Sequence, residues 1–304
     1  KLLAKTNKIE KVLEDLEFRF YFPEPPKLKN PNIFHLDDVT FGYFGDDPTG
    51  KSYLLQNINL RLQMGTKIGL LGSNGSGKST LVRLIMNELD PLHGTCALSN
   101  SVEVGYFAQH HIETLDYNAT PLEHLKNVCN CVKLDYYFYF YLKKKKKCCS
   151  SIQQIYAQLG RFHLGNELAK RKISTLSGGQ KSRVAFSILT WYSPHLIIMD
   201  EPTNHLDLPT IDALGIALAD FEGSVMLVSH DQHFVETVCD EYWAVGNRTV
   251  RVFDDFEECR TYCFKECKLV YFLLFIYSFY LFIFIFFSFI SSCHKKKKKK
   301  KKKK

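Results

Sequence analysis

The pattern of apolar and polar residues changes near residue 67, and each pattern predicts a different kind of structure. Residues 33–62 alternate apolar and polar positions around a turn rich in glycine, aspartate and proline at 45–50, which predicts antiparallel strands. Residues 68–71 have the composition of a buried strand, followed by a glycine loop and an amphipathic run at 81–89. A strand, a loop and a helix in this order predict an α/β fold.

Two further apolar runs have the length and composition of buried strands. They lie at 196–199 and 225–228, and helical stretches such as 211–220 separate them. Buried strands connected by helices are typical of parallel sheets. We therefore expect an α/β fold with a mainly parallel core sheet and an antiparallel β subdomain.

The N-terminal segment has the pattern of a helix followed by a linker. Residues 1–17 are charged, with leucine and isoleucine at approximately helical spacing. An aromatic stretch at 18–22 and the prolines after it cannot continue this helix, so we expect the linker to end near Pro31. Because the chain starts on a lysine in mid-helix, we also expect a missing segment upstream.

Residues 131–150 and 269–304 depart in composition from the rest of the chain. Both consist almost wholly of Phe, Tyr, Leu, Ile, Ser, Cys and Lys. Thymine-rich codons encode the first six of these residue types and AAA encodes lysine, which is typical of translated intron or untranslated sequence. The alternative for 269–290 is a membrane span, because about 20 apolar residues suffice to cross a bilayer. Lysines directly after a span are held in the cytosol, which would place the rest of the chain on the other side. We therefore favour a non-native insertion at 131–150 and a tail outside the fold at 269–304.

The formal charge of +8 comes from lysine runs at 143–147 and 295–304. Without these runs, 25 basic residues face 32 acidic ones. A mildly acidic globular part excludes a basic field over the whole surface as a way to bind nucleic acid, although it is compatible with a local patch.

The cysteines do not predict a disulfide scaffold. Ten of them are spread irregularly along the chain and no secretory leader precedes them, so we expect a reducing cytosol. Cys259, Cys263 and Cys267 recur every four residues and could ligate a metal from one helical face. Since no histidine or fourth cysteine lies at ligand spacing nearby, we favour inert thiols.

The glycine loop has the GxxxxGK[ST] pattern of a phosphate-binding loop, and it lies between a predicted strand and a predicted helix. Glycines let the backbone wrap closely, so that successive N–H groups and the helix N-terminus face the phosphates. Lys78 would reach the β- and γ-phosphates of a nucleotide, and Ser79 would ligate Mg²⁺. The residues assigned to the nucleotide site on this basis are Gly72, Ser73, Asn74, Gly75, Ser76, Gly77, Lys78, Ser79 and Thr80.

The predicted strand at 196–199 ends in two carboxylates, Asp200 and Glu201. The strand tip would deliver Asp200 to the Mg²⁺ shell, and Glu201 is placed to polarise the attacking water. Two acids after a strand are weak evidence alone, because surface turns are often acidic. The phosphate loop in the same chain gives them weight.

The string LSGGQ at 176–180 is the point at which the sequence resembles the ATP-binding cassette (ABC) ATPases. In that family the signature caps the γ-phosphate held by an opposite cassette, through serine and glycine N–H groups at another helix N-terminus. The resemblance implies two cassettes with ATP between them, and a P-loop NTPase fold with a helical signature subdomain. The signature residues that would contact the nucleotide are Ser177, Gly178, Gly179 and Gln180.

Further elements of that family follow in the expected order. Tyr43, in FGYF, resembles the aromatic residue that stacks on adenine, and Gln109, in GYFAQ, resembles the Q-loop residue that contacts the metal and the water. Asn204 to Asp207 resembles the D-loop, of which Asp207 would contact the nucleotide, and His230, in LVSHD, resembles the switch histidine that contacts the γ-phosphate. The resemblance assigns catalysis to Glu201, His230 and Gln109, and metal binding to Ser79, Gln109 and Asp200.

Longer strings resemble the ABC-F family, soluble proteins with two cassettes in one chain and no membrane domain, of the eukaryotic general-control translation factor type. The strings are GYFAQHH, LSGGQKSRVAF, DEPTNHLD and LVSHD, and the lead-in FRFYFPEPP looks like the exit of the inter-cassette linker. By this resemblance, residues 1–31 end the linker and residues 32–268 form the second cassette. It also implies ATP hydrolysis with Mg²⁺ in the cytoplasm, and action at the ribosome or on a translation-control kinase pathway. The partner would be a second cassette, intramolecular in the full-length protein and otherwise in a homodimer.

Three functions stay open at this point. The first is a soluble translation ATPase, favoured by the linker and the DEPTNHLD string. The second is the nucleotide-binding part of a membrane transporter, to which the apolar tail lends some support, although a transporter half needs about six spans. The third is a truncated cassette that binds ATP without turnover, because one cassette supplies half of each composite site. The block at 131–150 bears on the third, since it falls between the Q-loop and the signature.

Overall fold

A computed structural model describes residues 19–43, 53–108, 112–130, 151–204 and 206–265. The chain divides into two compact units. Of the described residues, those within 19–35, 61–69 and 98–240 belong to the first unit, and those within 36–60, 70–97 and 241–265 belong to the second. The predicted N-terminal helix at 1–17, the block at 131–150 and the apolar tail at 269–304 lie outside the described residues.

Strands and helices alternate along most of the described chain. The strands are β1 (Asn32–Phe41), β2 (Leu55–Gln63), β3 (Lys67–Leu71), β4 (His93–Leu98), β5 (Val104–Phe107), β6 (Leu196–Asp200), β7 (Ser224–Val228), β8 (Glu241–Gly246) and β9 (Thr249–Phe253). The helices are α1 (Lys78–Ile85), α2 (Pro121–Asn130), α3 (Ile152–Arg161), α4 (Asn166–Lys170), α5 (Gly178–Leu189), α6 (Leu208–Ala219) and α7 (Gln232–Val238). A 3-10 helix covers Ile173–Thr175, and residues 256–265 are helical.

The first unit is built on a parallel sheet with the strand order β5-β6-β7-β3. Its two central strands are buried along their whole length, apart from a half-buried Asp200 at the end of β6. This burial explains the apolar runs at 196–199 in β6 and at 225–228 in β7. The mainly parallel core sheet predicted from the sequence is confirmed.

A group of helices, α2 to α5, forms the rest of the first unit together with α6 and α7. α2 packs against α3, α4 and α5, and α3 packs against α5. α3 begins with a capping box in which Ser151 Oγ accepts from the Gln154 N–H and Gln154 Oε1 accepts from the Ser151 N–H. The box explains why this helix starts at Ile152, directly after the block at 131–150. The expected helical subdomain is therefore present.

The second unit contains a three-stranded sheet, β2-β1-β4, and an antiparallel hairpin, β8–β9. α1 buries the face that includes Leu81, Leu84 and Ile85. This helix starts earlier and ends earlier than the apolar pattern at 81–89 predicts. The chain leaves the helix at Met86, and Asn87 then takes a left-handed conformation with φ of 55°.

The described helices also bear on the membrane question. Between residues 19 and 265, in the ranges given above, every helix is too short or too polar to cross a bilayer. The candidate span at 269–290 lies outside these ranges. The boundaries proposed at residues 31 and 268 stay predictions.

Candidate functional site

The phosphate loop lies in the second unit, between the end of β3 at Leu71 and the start of α1 at Lys78. The Lys78 ammonium donates hydrogen bonds to the carbonyl oxygens of Gly72, at 2.8 Å, and Ser73, at 3.1 Å. These bonds fold the lysine side chain back over its own loop. The cation is thereby held beside the loop backbone, where it can form a charge-assisted bond to an anion.

The N-terminus of α1 has the properties of an anion-binding site. Its N-cap is Gly77, which provides no side-chain cap, and its first turn contains no acidic residue. The first N–H groups of a helix have no intrahelical partner, and the helix dipole favours negative charge beside them. In the part of the chain that the structure describes, Ser76 Oγ is buried with no hydrogen-bond partner. A nucleotide phosphate fits this set of donors.

Close packing leaves no room for a side chain at Gly72. A Cβ atom there would lie 2.5 Å from the carbonyl oxygen of Val245 and 2.8 Å from Ser76 Oγ. The φ of Gly72 is 153°, which residues with a Cβ rarely adopt. The loop thus follows the end of β8 at backbone distance, and packing as well as the phosphate motif requires glycine here.

Tyr43, the predicted adenine-stacking residue, lies beside α1. Its hydroxyl is 2.9 Å from Thr80 Oγ1, in the first turn of that helix. Its ring packs edge-on against Phe41, with the centroids 5.1 Å apart, and 56% of the residue is exposed. The structure therefore places an accessible aromatic ring next to the N-terminal end of α1. The stacking itself stays a prediction.

A cleft of about 360 Å³ borders the phosphate loop and contains residues that the sequence analysis missed. Tyr53, Arg248 and Tyr262 line it together with loop residues 73–76. The carbonyl oxygen of Arg248 accepts a hydrogen bond of 2.7 Å from the Gln56 N–H, which fixes the β8–β9 turn against β2. These residues are distant from the loop along the chain, and no sequence motif marks them.

Asp200 and Glu201 lie in the first unit, where β6 ends. Asp200 is the last residue of the strand and is in register with Val228 of β7. Glu201 follows with φ of 52°, and its N–H donates to the carbonyl oxygen of Val228 at 2.7 Å. A left-handed conformation costs a non-glycine residue about 1–3 kcal/mol and is found disproportionately at functional sites. It turns the chain sharply out of the sheet directly after Asp200.

The structure brings Glu201 and His230 together. Glu201 Oε1 lies 3.6 Å from His230 Nε2, with 13% of the carboxylate side chain and 67% of the imidazole side chain exposed. Hydrogen bonds of the next residue, Asp231, fix the turn that contains His230. The Asp231 N–H donates to Ser229 Oγ at 3.1 Å. Asp231 Oδ1 caps α7 by accepting from the Phe234 N–H at 3.1 Å. The histidine is therefore held in reach of the carboxylate that is predicted to activate water.

The predicted signature residues form the N-terminus of α5. Ser177 Oγ accepts from the Gln180 N–H at 3.3 Å, and Gln180 Oε1 accepts from the Ser177 N–H at 3.1 Å. This capping box closes the helix end with its own side chains. The N–H groups of Gly178 and Gly179 and the hydroxyl hydrogen of Ser177 are not used by the box. They are the donors that this end of α5 can offer to an anion.

Asp207 lies beside the signature turn. It is the N-cap residue of α6, but its side chain makes no cap hydrogen bond there. A Cβ atom on Gly179 would lie 3.5 Å from Asp207 Oδ1. Burial lowers the pKa of the Arg183 guanidinium on α5, and the charge of Asp207 opposes this shift. Arg183 was not predicted as a site residue, although its position one turn after Gln180 on the same helix was an available signal.

The remaining predicted residues are distributed as follows. Gln109 lies outside the described residues, and β5, which leads to it, ends at Phe107 in register with Met199 of β6. No group of three or more His, Cys, Asp or Glu side chains suited to a metal ion occurs in the described ranges. Cys259 and Cys263 are hydrogen-bonded to each other there, and Cys267 lies outside. Tyr43 and residues 72–80 belong to the second unit, whereas the other described site residues belong to the first.

Comparison with known proteins gives consistent matches. A family model described as "ABC transporter" matches residues 55–204. The ATP-binding cassette sub-family F member 3 of Mus musculus is 38% identical over 261 residues, which is 86% of this chain and 34% of that protein. Protein GCN20 of Saccharomyces cerevisiae is 37% identical over 254 residues, covering 84% of this chain and 31% of that protein. The chain thus spans about a third of the length of these relatives.

Solved structures with a similar fold include dimeric cassettes. One is a dimeric bacterial ABC transporter cassette, with 23% identity and a TM-score of 0.57, covering 73% of this chain and 98% of that one. Another is the dimeric post-hydrolysis state of an ATP-binding cassette bound to ADP and Pi, with 23% identity and a TM-score of 0.56, at the same coverage. At this identity the likeness concerns the fold.

Proposed function

Because the chain belongs to the ATP-binding cassette family, in its F subfamily, we propose that it binds ATP with Mg²⁺ and hydrolyses it in a site completed by a second cassette. The observation that carries this proposal is the N-terminus of α1, where a glycine N-cap leaves the helix donors open and Lys78 is held against the same loop. An uncapped helix end beside a fixed cation favours a phosphate group over any neutral ligand.

Each residue has a role that its chemistry supports. The N–H groups of the phosphate loop and Lys78 bind the phosphates, and the ring of Tyr43 stacks on the base. Ser79, Asp200 and Gln109 would hold Mg²⁺ through a hydroxyl, a carboxylate and an amide oxygen, ligands that suit this hard cation. When bound, Mg²⁺ supplies neutralisation of the phosphate charge.

Hydrolysis needs a base and a cap on the γ-phosphate. The Glu201 carboxylate accepts the proton of the water that attacks the γ-phosphorus, and the bond to the β-γ bridging oxygen breaks to give ADP and inorganic phosphate. His230, 3.6 Å from Glu201, keeps that carboxylate oriented. Ser177 and the glycine N–H groups of α5 cap the γ-phosphate bound to the other cassette. The dimeric cassettes of similar fold support such a partner, which is in the same chain in a full-length protein and otherwise in a homodimer.

The test uses two variants with matched controls. Lys78→Ala should abolish binding of a fluorescent ATP analogue, whereas Lys27→Ala, which changes an exposed linker lysine, should not. Glu201→Gln should retain binding but lose turnover, whereas Glu222→Gln, which changes an exposed acid, should retain both. Turnover of this chain alone should stay at background and rise when the first cassette is added. Full turnover by Glu201→Gln would show that another group activates the water.

We further propose that the protein acts in the cytoplasm, in translation control at the ribosome, as its sequence resemblance to F-subfamily relatives suggests. The chain should co-sediment with ribosomes in a non-hydrolysable ATP analogue and be released without nucleotide or with Lys78→Ala. Sedimentation with membranes that resists carbonate extraction would instead favour the transporter alternative.

A further inference from the structure

Residues 19–22, which we call the strap, pack into the first unit although the sequence assigns them to a linker. Phe20 is only 4% exposed, and its ring centroid lies 5.5 Å from that of Phe162 and 6.1 Å from that of Phe186. Phe22 lies 5.8 Å from Phe162 and 6.1 Å from Phe221, edge-on to the latter. Tyr21 between them is 64% exposed. This alternation is that of an extended segment with one buried face.

The backbone of the strap is also anchored. His163 Nε2 donates a hydrogen bond of 2.8 Å to the carbonyl oxygen of Arg19. His163 directly follows Phe162, the C-cap residue of α3, and has a left-handed φ of 54°. Two adjacent residues at the end of α3 thus contact the strap: Phe162 through its ring and His163 through a hydrogen bond. Ring packing and a backbone hydrogen bond together therefore fix the position of the strap on the end of α3.

The rings under the strap lead to two parts of the proposed ATP site. Phe186 belongs to α5, whose N-terminus is the signature turn, and it stacks on Phe107 at 4.8 Å with an interplanar angle of 27°. Phe107 is the last residue of β5, the strand that leads to Gln109. Phe107, Phe162 and Phe186 have no exposed surface. A continuous row of buried rings therefore runs from Phe20 through Phe186 to Phe107.

Because the rings of this row are closely packed, displacement of one ring displaces its neighbours. Protein interiors are packed like organic crystals and transmit displacement, because few voids can absorb it. α5 is a single helix of 12 residues, so a shift of Phe186 also moves the Ser177 end. If the Phe20 ring moves away, Phe186 loses its contact with Phe20 but keeps its contact with Phe107.

We propose that Phe20 is a positioning residue for ATP hydrolysis: the strap holds α5 and the end of β5 where the signature turn can cap the nucleotide of the second cassette. The inference rests on the proposed function, because the signature matters only if ATP is bound and hydrolysed. It adds a residue outside every ATP-binding motif and states through which side chains it acts.

The test compares Phe20→Ala and Phe20→Leu with Tyr21→Ala, the adjacent exposed position. Val238→Ala, a buried substitution in α7 away from the row of rings, serves as a stability control. Hydrogen exchange is measured across the chain, ATP-analogue affinity by fluorescence, and turnover in the presence of the first cassette. Phe20→Ala should speed exchange at residues 180–189 by about tenfold, the equivalent of about 1.4 kcal/mol. It should lower turnover by about fivefold or more and leave analogue affinity within about twofold, since only a transition-state interaction is lost.

The other variants give one result if the proposal is correct and another if it is wrong. Phe20→Leu should recover most of the turnover, and Tyr21→Ala should behave as the wild type. If exchange in α5 is unchanged, or if Val238→Ala loses as much turnover at an equal fall in thermal midpoint, the strap has no positioning role. If the wild-type chain binds no ATP analogue, the proposed function fails, while exchange in α5 still shows whether the strap holds that helix. Should Phe20→Ala not fold, Phe20→Val, which also removes the ring but leaves more of the buried volume filled, carries the same comparison.

Discussion

Replacing Gly72 by alanine tests how closely the phosphate loop follows β8. The new Cβ atom would lie 2.5 Å from the backbone carbonyl oxygen of Val245, and backbone cannot rotate away as a flexible side chain could. The substitution therefore has two costs. The φ of 153° costs about 1–3 kcal/mol in a residue with a Cβ, and overpacking costs about 1–3 kcal/mol more.

Gly75 in the same loop separates these two costs. Its φ is 80°, so alanine there is strained by about 1–2 kcal/mol. A Cβ atom at Gly75 would have no heavy atom within 4 Å, however, so no overpacking follows. Gly72→Ala should therefore be the less stable variant by about 1–3 kcal/mol, or about 2–10 °C in thermal midpoint for a fold of this size.

Thermal unfolding and titration with a fluorescent ATP analogue measure both consequences. Because the loop must move away from Val245 to admit a methyl group, Gly72→Ala should also weaken analogue binding by more than about tenfold. Gly75→Ala should keep the higher thermal midpoint of the two variants and lose less analogue affinity than Gly72→Ala. Equal thermal midpoints and equal affinities for the two variants would refute the close approach of the loop to β8.

Three further changes test the first unit. Gln158→Leu removes the side chain whose Nε2 donates to the carbonyl oxygen of Ser187 at 2.8 Å, so urea unfolding should show a loss of about 1–3 kcal/mol for the buried acceptor. Asp231→Ala removes the cap of α7 and should cost about 1 kcal/mol in thermal unfolding, with lower turnover because the adjacent His230 is less well held. Burial lowers the pKa of His124 below its ordinary value, so the unfolded chain binds the proton more readily. The stability contributed by neutral His124 is complete above about pH 6.5 and is lost as the pH falls below that value. The free energy of unfolding in urea should therefore decrease less between about pH 7 and pH 5 in His124→Gln than in the wild type.

Exposed positions provide the matched controls for these changes. Gln153→Leu on α3 should leave urea unfolding within about 0.5 kcal/mol of the wild type. Glu236→Ala, at an exposed position of α7, should not affect turnover. A pH profile that is equally steep with and without His124 would contradict the assignment of that group.

Element types followed from the sequence wherever burial was continuous. The apolar runs at 68–71, 196–199 and 225–228 make up most of β3, β6 and β7, and the sequence predicted each of them as a buried strand. β5 was missed because it has only four residues, VGYF, which the sequence analysis assigned to the Q-loop string. Helix ends were displaced for a similar reason: the first turn of α1 contains Lys, Ser and Thr, which apolar periodicity cannot detect.

The site divides in the same way between local and long-range information. Residues that act from one loop or one strand end, such as Lys78 or Asp200, are recognisable because their motif contains the strand and helix that position them. Tyr53, Arg248 and Tyr262 reach the loop only through the tertiary fold, so the sequence analysis did not find them. The left-handed conformation of Glu201 was also not predictable, because glutamate is not among the residue types enriched there.

The N-termini of α1 and α5 differ in a way that bears on how two cassettes would share one nucleotide. α1 has glycine at its N-cap and no side-chain cap, so its donors are available to a ligand bound within the same chain. α5 is closed by its own serine and glutamine, so it is a stable helix end without a ligand. Ser177, Gly178 and Gly179 keep hydrogen-bond donors that the box does not use, and in the proposed function these donors would bind the γ-phosphate of the second cassette. If two cassettes close as proposed, this combination would let α5 keep its shape without the partner and still cap the anion when the partner is present.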